Sequence, residues 1–435
     1  MRLLHTADWH LGHTLHDISR EHEHAHFLKW LLETLEREQV DVLVIAGDVF
    51  ETSNPRAEAL QAWYRFIAEL RGRRFRNLEV VVVGGNHDSA RRLDAPRALY
   101  RFFGFHVLGG VPYTTNEAGK RVVDLDAMVI PLRDPDGRVA AWCCAVPYLR
   151  PSDLPSVADA GDDGPLVAGV RALYQQVVEV ARAKRKPGQA LVATGHLMLA
   201  TGDLSPDSER KIQGGNRHQV PVDVFPEDVT YMALGHLHRA QSVGRDSVRY
   251  SGSPIPLSMT EAAYPHQCVL VDFEAGELTE TRALRVPRLV DMIRIPDSGD
   301  GPLEQVLREL GSLPKMRPSD PQPQHLRPFV AVHVALEHPE PTLRETIEAA
   351  VADRAVRLIK IAPVYTGSAH ALADARPAHL LDDLTLAEVF VERYQRDFEG
   401  DPPEDLLAAF HTMVERVQQG LSPTPEGDEA EVAPA

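Results

Sequence analysis

Gly84-Gly85-Asn86-His87-Asp88 follows directly on Leu78–Val83 (LEVVVV), and the join between the two decides the fold. A run of this kind, dominated by valine and bounded by glycine, reads as a strand buried on both faces. It ends in glycines, which let the backbone turn sharply, and then in polar side chains able to bind or catalyse. The same join recurs four more times. Met1–Thr6 runs into Asp8-Trp9-His10, and Asp41–Ala46 (DVLVIA) into Gly47-Asp48. Ala190–Thr194 runs into Gly195-His196, and Thr230–Leu234 into Gly235-His236-Leu237-His238. Buried strands alternating with helix-like stretches predict an α/β domain. In open α/β sheets ligands bind in the crevice at the carboxyl ends of the strands, so all five polar blocks are expected to share one crevice.

Asp8, His10, Asp48, Asn86, His196, His236 and His238 offer seven oxygen and nitrogen donors and no sulfur. That is too many for one tetrahedral zinc. It suits two ions sharing a carboxylate, with positions left for water and substrate. Carboxylate, imidazole and amide oxygen together point to Mn²⁺ ahead of Fe²⁺ or Zn²⁺. Asp8 and His10, two apart in extended chain, can reach one ion, and the same spacing lets His236 and His238 reach different ones. Two ions roughly 3.5–4 Å apart clamp the attacking and leaving oxygens of an in-line displacement at phosphorus. Any single block is commonplace, since Gly-Asp after a strand is most often a turn and a lone histidine is most often a core or surface residue. The five together carry the reading. His22, His24 and His26 open a helix with Phe27, Trp30, Leu31 and Leu35, and are expected to face solvent rather than a metal.

At 435 residues the chain has room for two to three domains. A hydrophobic share of 43% with 25% charged residues excludes a mostly disordered chain. No apolar run approaches the roughly 18 residues of a membrane span. Asp8 and His10 interrupt the N-terminal apolar stretch, so no signal peptide is expected. Cys143, Cys144 and Cys268 have neither zinc spacing nor the number for a disulfide framework. A cytoplasmic protein is expected. The net charge of −17 argues at first against nucleic acid, but fourteen Asp/Glu against three Arg from His379 onward hold most of it. The earlier residues carry basic runs, Arg71, Arg73, Arg74 and Arg76, then Arg182, Lys184, Arg185 and Lys186. These read equally as solvated helix ends or as contacts to a polyanion.

Residues 1–286 form the expected α/β domain, in which Asn54 as N-cap and Pro55 at the first helical position predict a helix to about Arg71. Residues 287–363 read strand (Asp291–Ile295), helix (Leu303–Leu310), strand (Phe329–Val334), helix (Thr342–Val351), strand (Val356–Ile361), a small α+β module. A linker is expected over 364–379, a helical hairpin over 380–420 and a disordered acidic tail over 421–435. In the hairpin, Thr385-Leu386-Ala387-Glu388 is a capping-box pattern. Leu386, Val389, Phe390 and Tyr394 share one face. The second helix opens at Pro402-Pro403, carries Leu406, Leu407, Phe410, Met413, Val414 and Val417, and stops at Gly420. The chain has no phosphate loop, because its Gly119-Lys120 is followed by Arg121. ATP dependence would have to come from another subunit.

D-x-H, G-D, G-N-H-D, H and G-H-x-H, in this order, resemble the signature of the calcineurin-like metallophosphoesterase superfamily. HTADWHLG (5–12), IAGDVF (45–50), GNHDS (85–89), ATGHL (193–197), ALGHLHRAQ (233–241) and RYSGSPIPLS (249–258) are similar to one branch of it. That branch comprises the nuclease subunits of bacterial double-strand-break repair complexes. The likeness covers residues 1 to about 290, continues weakly through the small module and returns at LTLAEVF (384–390). It implies two mixed sheets flanked by helices, with a small α+β capping domain that meets DNA and a C-terminal helical hairpin. By the same resemblance Asp8, His10, Asp48 and His238 would hold one ion and Asp48, Asn86, His196 and His236 the other, with Asp48 bridging. His87 would be the non-ligand catalytic histidine, stabilising the pentacovalent phosphorus and assisting the departing oxygen.

The activity so implied is Mn²⁺-dependent 3′→5′ double-strand exonuclease and endonuclease cleavage at DNA ends and hairpins, in repair, recombination and replication, by in-line attack of a metal-bridging hydroxide. The implied partner is an SbcC-type coiled-coil ATPase docked on residues 380–420. The implied assembly is a nucleoid-associated cytoplasmic heterotetramer built on a homodimer of this chain. Leu60, Trp63, Tyr64, Ile67, Leu70, Leu99, Tyr100, Phe102 and Phe103, on two helix-like stretches, support the homodimer but read equally as packing on the sheet. One departure is Glu51 in GDVFE, where related sequences carry Asp or, in some archaeal members, His. It is not assigned as a ligand. Two other readings stay open: a phosphodiesterase or phosphatase of a small substrate, which needs neither the extra module nor the hairpin, and a scaffold with a vestigial site, against which the complete donor set speaks.

Overall fold

The computed structural model describes the chain except residues 73–74, 76, 158–162, 204–218, 317–322, 366–385, 399–400 and 419–435. The expected linker beyond Tyr365, the expected tail, and Arg73, Arg74 and Arg76 of the first basic run lie outside the described residues.

Two six-stranded sheets dominate. The first runs Glu277–Arg285, Gln267–Glu274, Arg2–Thr6, Val42–Ala46, Glu79–Val83, Phe105–Leu108, its last four strands mutually parallel. The second runs Gln241–Val243, Arg245–Tyr250, Tyr231–Gly235, Ala190–His196, Val139–Cys144, Val129–Arg133, parallel except at its two outermost pairings. Side chains alternate across a strand. Leu3, Val42, Val44, Val81 and Val83 accordingly share one core with Leu191, Tyr231 and Met232 of the second sheet. Leu4, Leu43, Ile45, Val80 and Val82 point the other way, onto Phe27, Leu31, Trp63 and Phe66 of the helices Glu21–Arg37 and Ala57–Leu70. Burial on both faces is why these strands carry unbroken apolar runs. The helix Gly164–Lys184 closes the second sheet with Leu173, Tyr174, Val177 and Val178.

Two local expectations need correction. The helix expected from Pro55 starts at Ala57, because Arg56 is extended (φ −63°, ψ 158°) and leaves Asn54-Pro55 in the approach. His24 does not face solvent. It lies one turn before Phe27 and Leu28 on the stripe that continues to Leu31 and Leu35, is buried, and its Nε2 meets the Trp9 carbonyl at 2.9 Å. Burial, aided by Arg20, pushes its imidazole down to about 3. His22 is exposed and stacks on His325 with ring centres 3.8 Å apart.

The strands Met292–Ile295, Gly301–Pro302, Phe329–Leu336 and Arg357–Tyr365 form a separate parallel sheet, packed by Val306 and Leu310 of Leu303–Ser312 and Leu343 and Ile347 of Leu343–Val351. A small core of Leu15, Val290, Met292 and Phe329 joins it to the hairpin Thr14–Ser19, and the Arg20 and Arg357 guanidinium groups lie 5.3 and 3.9 Å from the Phe329 ring centre. Further on, the helices Leu386–Asp397 and Glu404–Gln418 stack Phe390 on Phe410 at 4.2 Å. The second basic run is mostly engaged within the chain: Arg182 pairs with Glu179 and Asp228, Lys184 with Asp126, and Arg185 donates to the Gln189 carbonyl. Among the described residues no helix is long and apolar enough to cross a membrane.

Candidate metal centre

The five polar blocks meet at the carboxyl ends of the central strands of both sheets. Two of the loops run side by side as a continuation of the first sheet. Asp8 N–H donates to the Gly47 carbonyl (3.0 Å), His10 N–H to Asp48 (3.0 Å) and Leu11 N–H to Val49 (2.9 Å). Their backbone is strained where the polar side chains sit. Asp8, His10, Asp48 and His236 all have positive φ (55°, 48°, 48° and 98°). Such conformations cost about 1–3 kcal/mol each and persist only when the surroundings over-determine them. Two glycines make the approach possible, since a Cβ on Gly47 would lie 2.1 Å from His196 Nδ1 and one on Gly85 2.1 Å from Asp48 Oδ1.

All seven donors come together. Asp8 Oδ1 accepts the His236 backbone N–H (2.9 Å) and Asp48 Oδ1 that of His87 (2.8 Å), tying the loops of the two sheets and of neighbouring strands. His196 Nε2 is 3.2 Å from Asp48 Oδ2 and 3.0 Å from Asn86 Oδ1, which also lies 3.0 Å from His236 Nδ1. Ligand-capable atoms gather within 4.8 Å of one another in three overlapping groups: Asp8, His10 and His238; His10, Asp48 and His87; Asp8, Asp48 and His196. Proximity therefore does not by itself separate His87 from the ligands. Exposure sets it apart only from the other histidines, because His10, His196, His236 and His238 are buried while His87, like Asn86, is half-buried, with Nδ1 on the Glu51 carbonyl at 2.7 Å.

The buried carboxylates and imidazoles of the cluster shift one another strongly. Burial raises the Asp8 carboxyl against the opposing pull of His196 and His238. Burial works on Asp48 too, but His196, His87 and His10 together hold it well below the usual carboxylate range. Despite its own burial, His196 is raised to about 9 by Asp48 and Asp8, and His236 is pushed down to about 3 by burial and the neighbouring His196. Asp8 Oδ2 and His10 Nε2 are buried without a hydrogen-bond partner. Buried polar atoms are nearly always satisfied, so these two mark where a ligand belongs. Oxygen and imidazole donors around unpaired buried carboxylate fit a divalent metal ion.

Three supporting carboxylates lie outside the seven donors read from the sequence. Asp88, beside His87, is buried and accepts the backbone N–H groups of Val49, Phe50 and Gly85 at 3.0–3.1 Å, which holds the second loop against the third. Glu51 reaches His10 Nδ1 (2.9 Å) and His13 Nδ1 (3.2 Å). Glu261, fully buried, reaches His238 Nδ1 (2.9 Å). Glu51 had a signal, three residues after Asp48. Glu261 had none, because it lies 23 positions beyond His238 with no spacing pattern that links the two.

Comparison with known proteins agrees with this geometry. A family model described as calcineurin-like phosphoesterase matches residues 1–240, and one described as type 5 capsule protein repressor C-terminal domain (SbcD_C) matches residues 288–398. The SbcD subunit of the SbcCD nuclease of Rhodobacter capsulatus is 42% identical over 362 residues, 82% of this chain and 86% of the relative. The SbcD subunit of Escherichia coli K12 is 37% identical, covering 66% of this chain and 68% of its own, and that of Bacillus subtilis 36% identical, covering 64% and 67%. With both its parts and most of its length so matched, the chain is a metal-dependent phosphodiester hydrolase that belongs to the calcineurin-like phosphoesterases, and within them to the SbcD family.

Proposed function

We propose that the protein is the Mn²⁺-dependent nuclease subunit of an ATP-regulated complex, cutting backbone phosphodiesters 3′→5′ at double-stranded DNA ends and within hairpins. The observation that carries it is the convergence of seven oxygen and nitrogen donors, with buried Asp8 Oδ2 and His10 Nε2 lacking a hydrogen-bond partner among them. Its relatives are named as nucleases, which favours DNA over a small ester. Asp8, His10, Asp48 and His238 would hold one ion and Asp48, Asn86, His196 and His236 the other, with Asp48 shared. Bound there, the two ions supply Lewis acidity toward a phosphate oxygen and lower the pKa of water to near neutrality.

The chain's own groups do the rest. Asp88 and the strained loops fix the donors in place before substrate arrives. His87, whose Nδ1 meets the Glu51 backbone carbonyl at 2.7 Å, would neutralise charge on phosphorus-bound oxygens and protonate the departing oxygen. Residues 287–363 would form the capping domain that meets DNA. Incubating the purified chain with Mn²⁺, labelled linear duplex and a chromogenic phosphodiester tests the proposal. Cleavage of duplex is expected; hydrolysis of the small ester alone, even with an SbcC-type partner and ATP present, would favour a small-substrate phosphodiesterase instead.

Residues 380–420 are proposed as the docking element for that coiled-coil ATPase. Helices of 12 and 15 residues are marginal alone. Val389, Phe398, Leu406 and Met413 remain exposed beside the stacked Phe390 and Phe410. Such apolar anchors suit a helical partner. Truncation at Asp374 is expected to spare Mn²⁺-dependent cutting of short duplexes and to abolish co-purification with the ATPase. Persistent co-purification would refute the assignment.

A homodimer is proposed through the helix faces that carry Tyr64, Leu99 and Phe102, which are 48%, 55% and 84% exposed. Trp63, Ile67, Leu70 and Tyr100 are spent in the chain's own core and are not available for it. Phe102→Asp is expected to halve the sedimenting mass at micromolar concentration, and a wild-type chain that already sediments as a monomer would count against the dimer.

A further inference from the structure

The two proposed ion sites differ in what stands behind their histidines. In the Asp8–His10–His238 group both imidazoles are backed by a carboxylate that is not itself a proposed ligand: Glu51 at 2.9 Å from His10 Nδ1 and Glu261 at 2.9 Å from His238 Nδ1. In the other group His196 Nδ1 is backed by the Ala46 carbonyl at 3.0 Å, while His236 turns Nδ1 toward the proposed ligand oxygen of Asn86 at 3.0 Å and so faces the ion position with that nitrogen. Among the described residues, no carboxylate outside the proposed ligand set touches either of them. Glu51 and Glu261 are also tied to each other. Glu51 contacts His13 Nδ1, His13 Nε2 meets the Leu257 carbonyl at 2.9 Å, and Leu257 N–H donates to Glu261 Oε2 at 2.8 Å. Glu51 and Glu261 are thus linked through His13 and Leu257 along one side of the centre.

A carboxylate on the far nitrogen of a ligating imidazole fixes its tautomer and ring orientation and makes the near nitrogen more basic. It also adds negative charge a few ångströms from the ion, in a low-dielectric surrounding where that charge counts most. Both effects act at His10 and His238, and neither acts at His196 or His236. We infer that the two ion sites are of unequal strength, and that Glu51 and Glu261 are the positioning residues that make the Asp8–His10–His238 site the stronger. One site then keeps its ion while the other exchanges with solution. The inference rests on the ligand reading given under the proposed function.

Titrating the metal-free full chain with Mn²⁺, and reading free Mn²⁺ by its electron paramagnetic resonance signal, tests it without reference to activity. The wild type is expected to show two classes of site. Glu51→Gln and Glu261→Gln preserve side-chain shape and hydrogen-bonding oxygen but remove the charge. Each is expected to weaken the tighter class by about 10–100-fold while leaving the weaker class unchanged. Glu51→Asp, which keeps the charge, is expected to retain the tighter class. Two equal classes in the wild type, no change in either Gln variant, or equal loss from both classes would overturn the inference. Should the fully buried Glu261→Gln variant not fold, Glu51→Gln at a partly exposed position still decides. Failure of the underlying ligand reading shows separately, because Asp8→Asn would then leave the tighter class intact.

Discussion

Asp48→Ala is expected to release both ions and to reduce phosphodiester cleavage by at least about 10³-fold, since charge stabilisation by bound metal contributes several kcal/mol and each 1.36 kcal/mol is a factor of ten. Asp48 lies between the two donor groups, with Oδ1 on the His87 backbone N–H at 2.8 Å and Oδ2 facing His196 at 3.2 Å and His10 at 3.6 Å. Under the proposed ligand set its carboxylate would balance the charge of two neighbouring cations. Metal content by elemental analysis after dialysis, read with the rate on labelled duplex, checks this. A variant that keeps both ions would remove Asp48 from the bridging position.

His87→Ala should behave differently: both ions retained, and turnover reduced by about 10²–10⁴-fold, the usual size of a general acid/base contribution. The difference follows from the proposed ligand set, in which Asn86, whose oxygen faces His196 and His236, is the donor of the third block, and His87, its ring 4.7 Å from that of His10, is not. Equal metal loss in the His87 and Asp48 variants would erase the division between ligand and acid.

The strands that carry the centre were legible because burial on both faces leaves an unmistakable residue choice. Val42, Val44, Leu43 and Ile45 serve two different cores, so in this strand both faces are apolar and Gly47-Asp48 marks its end. The donors were legible because each follows such an end directly. What surrounds them was less so. His24 did carry a periodic signal, one helical turn before Phe27 and Leu28, but three histidines at alternate positions suggest solvent before they suggest a core. Which of Trp63, Tyr64 and Phe102 faces inward depends on how the helices rotate against the sheet, and that rotation has no local sequence signature. Glu261 is the extreme case. Its partner is reached only through tertiary folding, by a turn at Met259–Glu261 that the sequence does not announce.

Anomalous scattering from crystals grown with Mn²⁺ tests the central claim most directly. Two peaks roughly 3.5–4 Å apart are expected, one among Asp8, His10 and His238, the other among Asn86, His196 and His236, with the Asp48 carboxylate between them. A single peak, or a pair lying away from these side chains, would contradict the account.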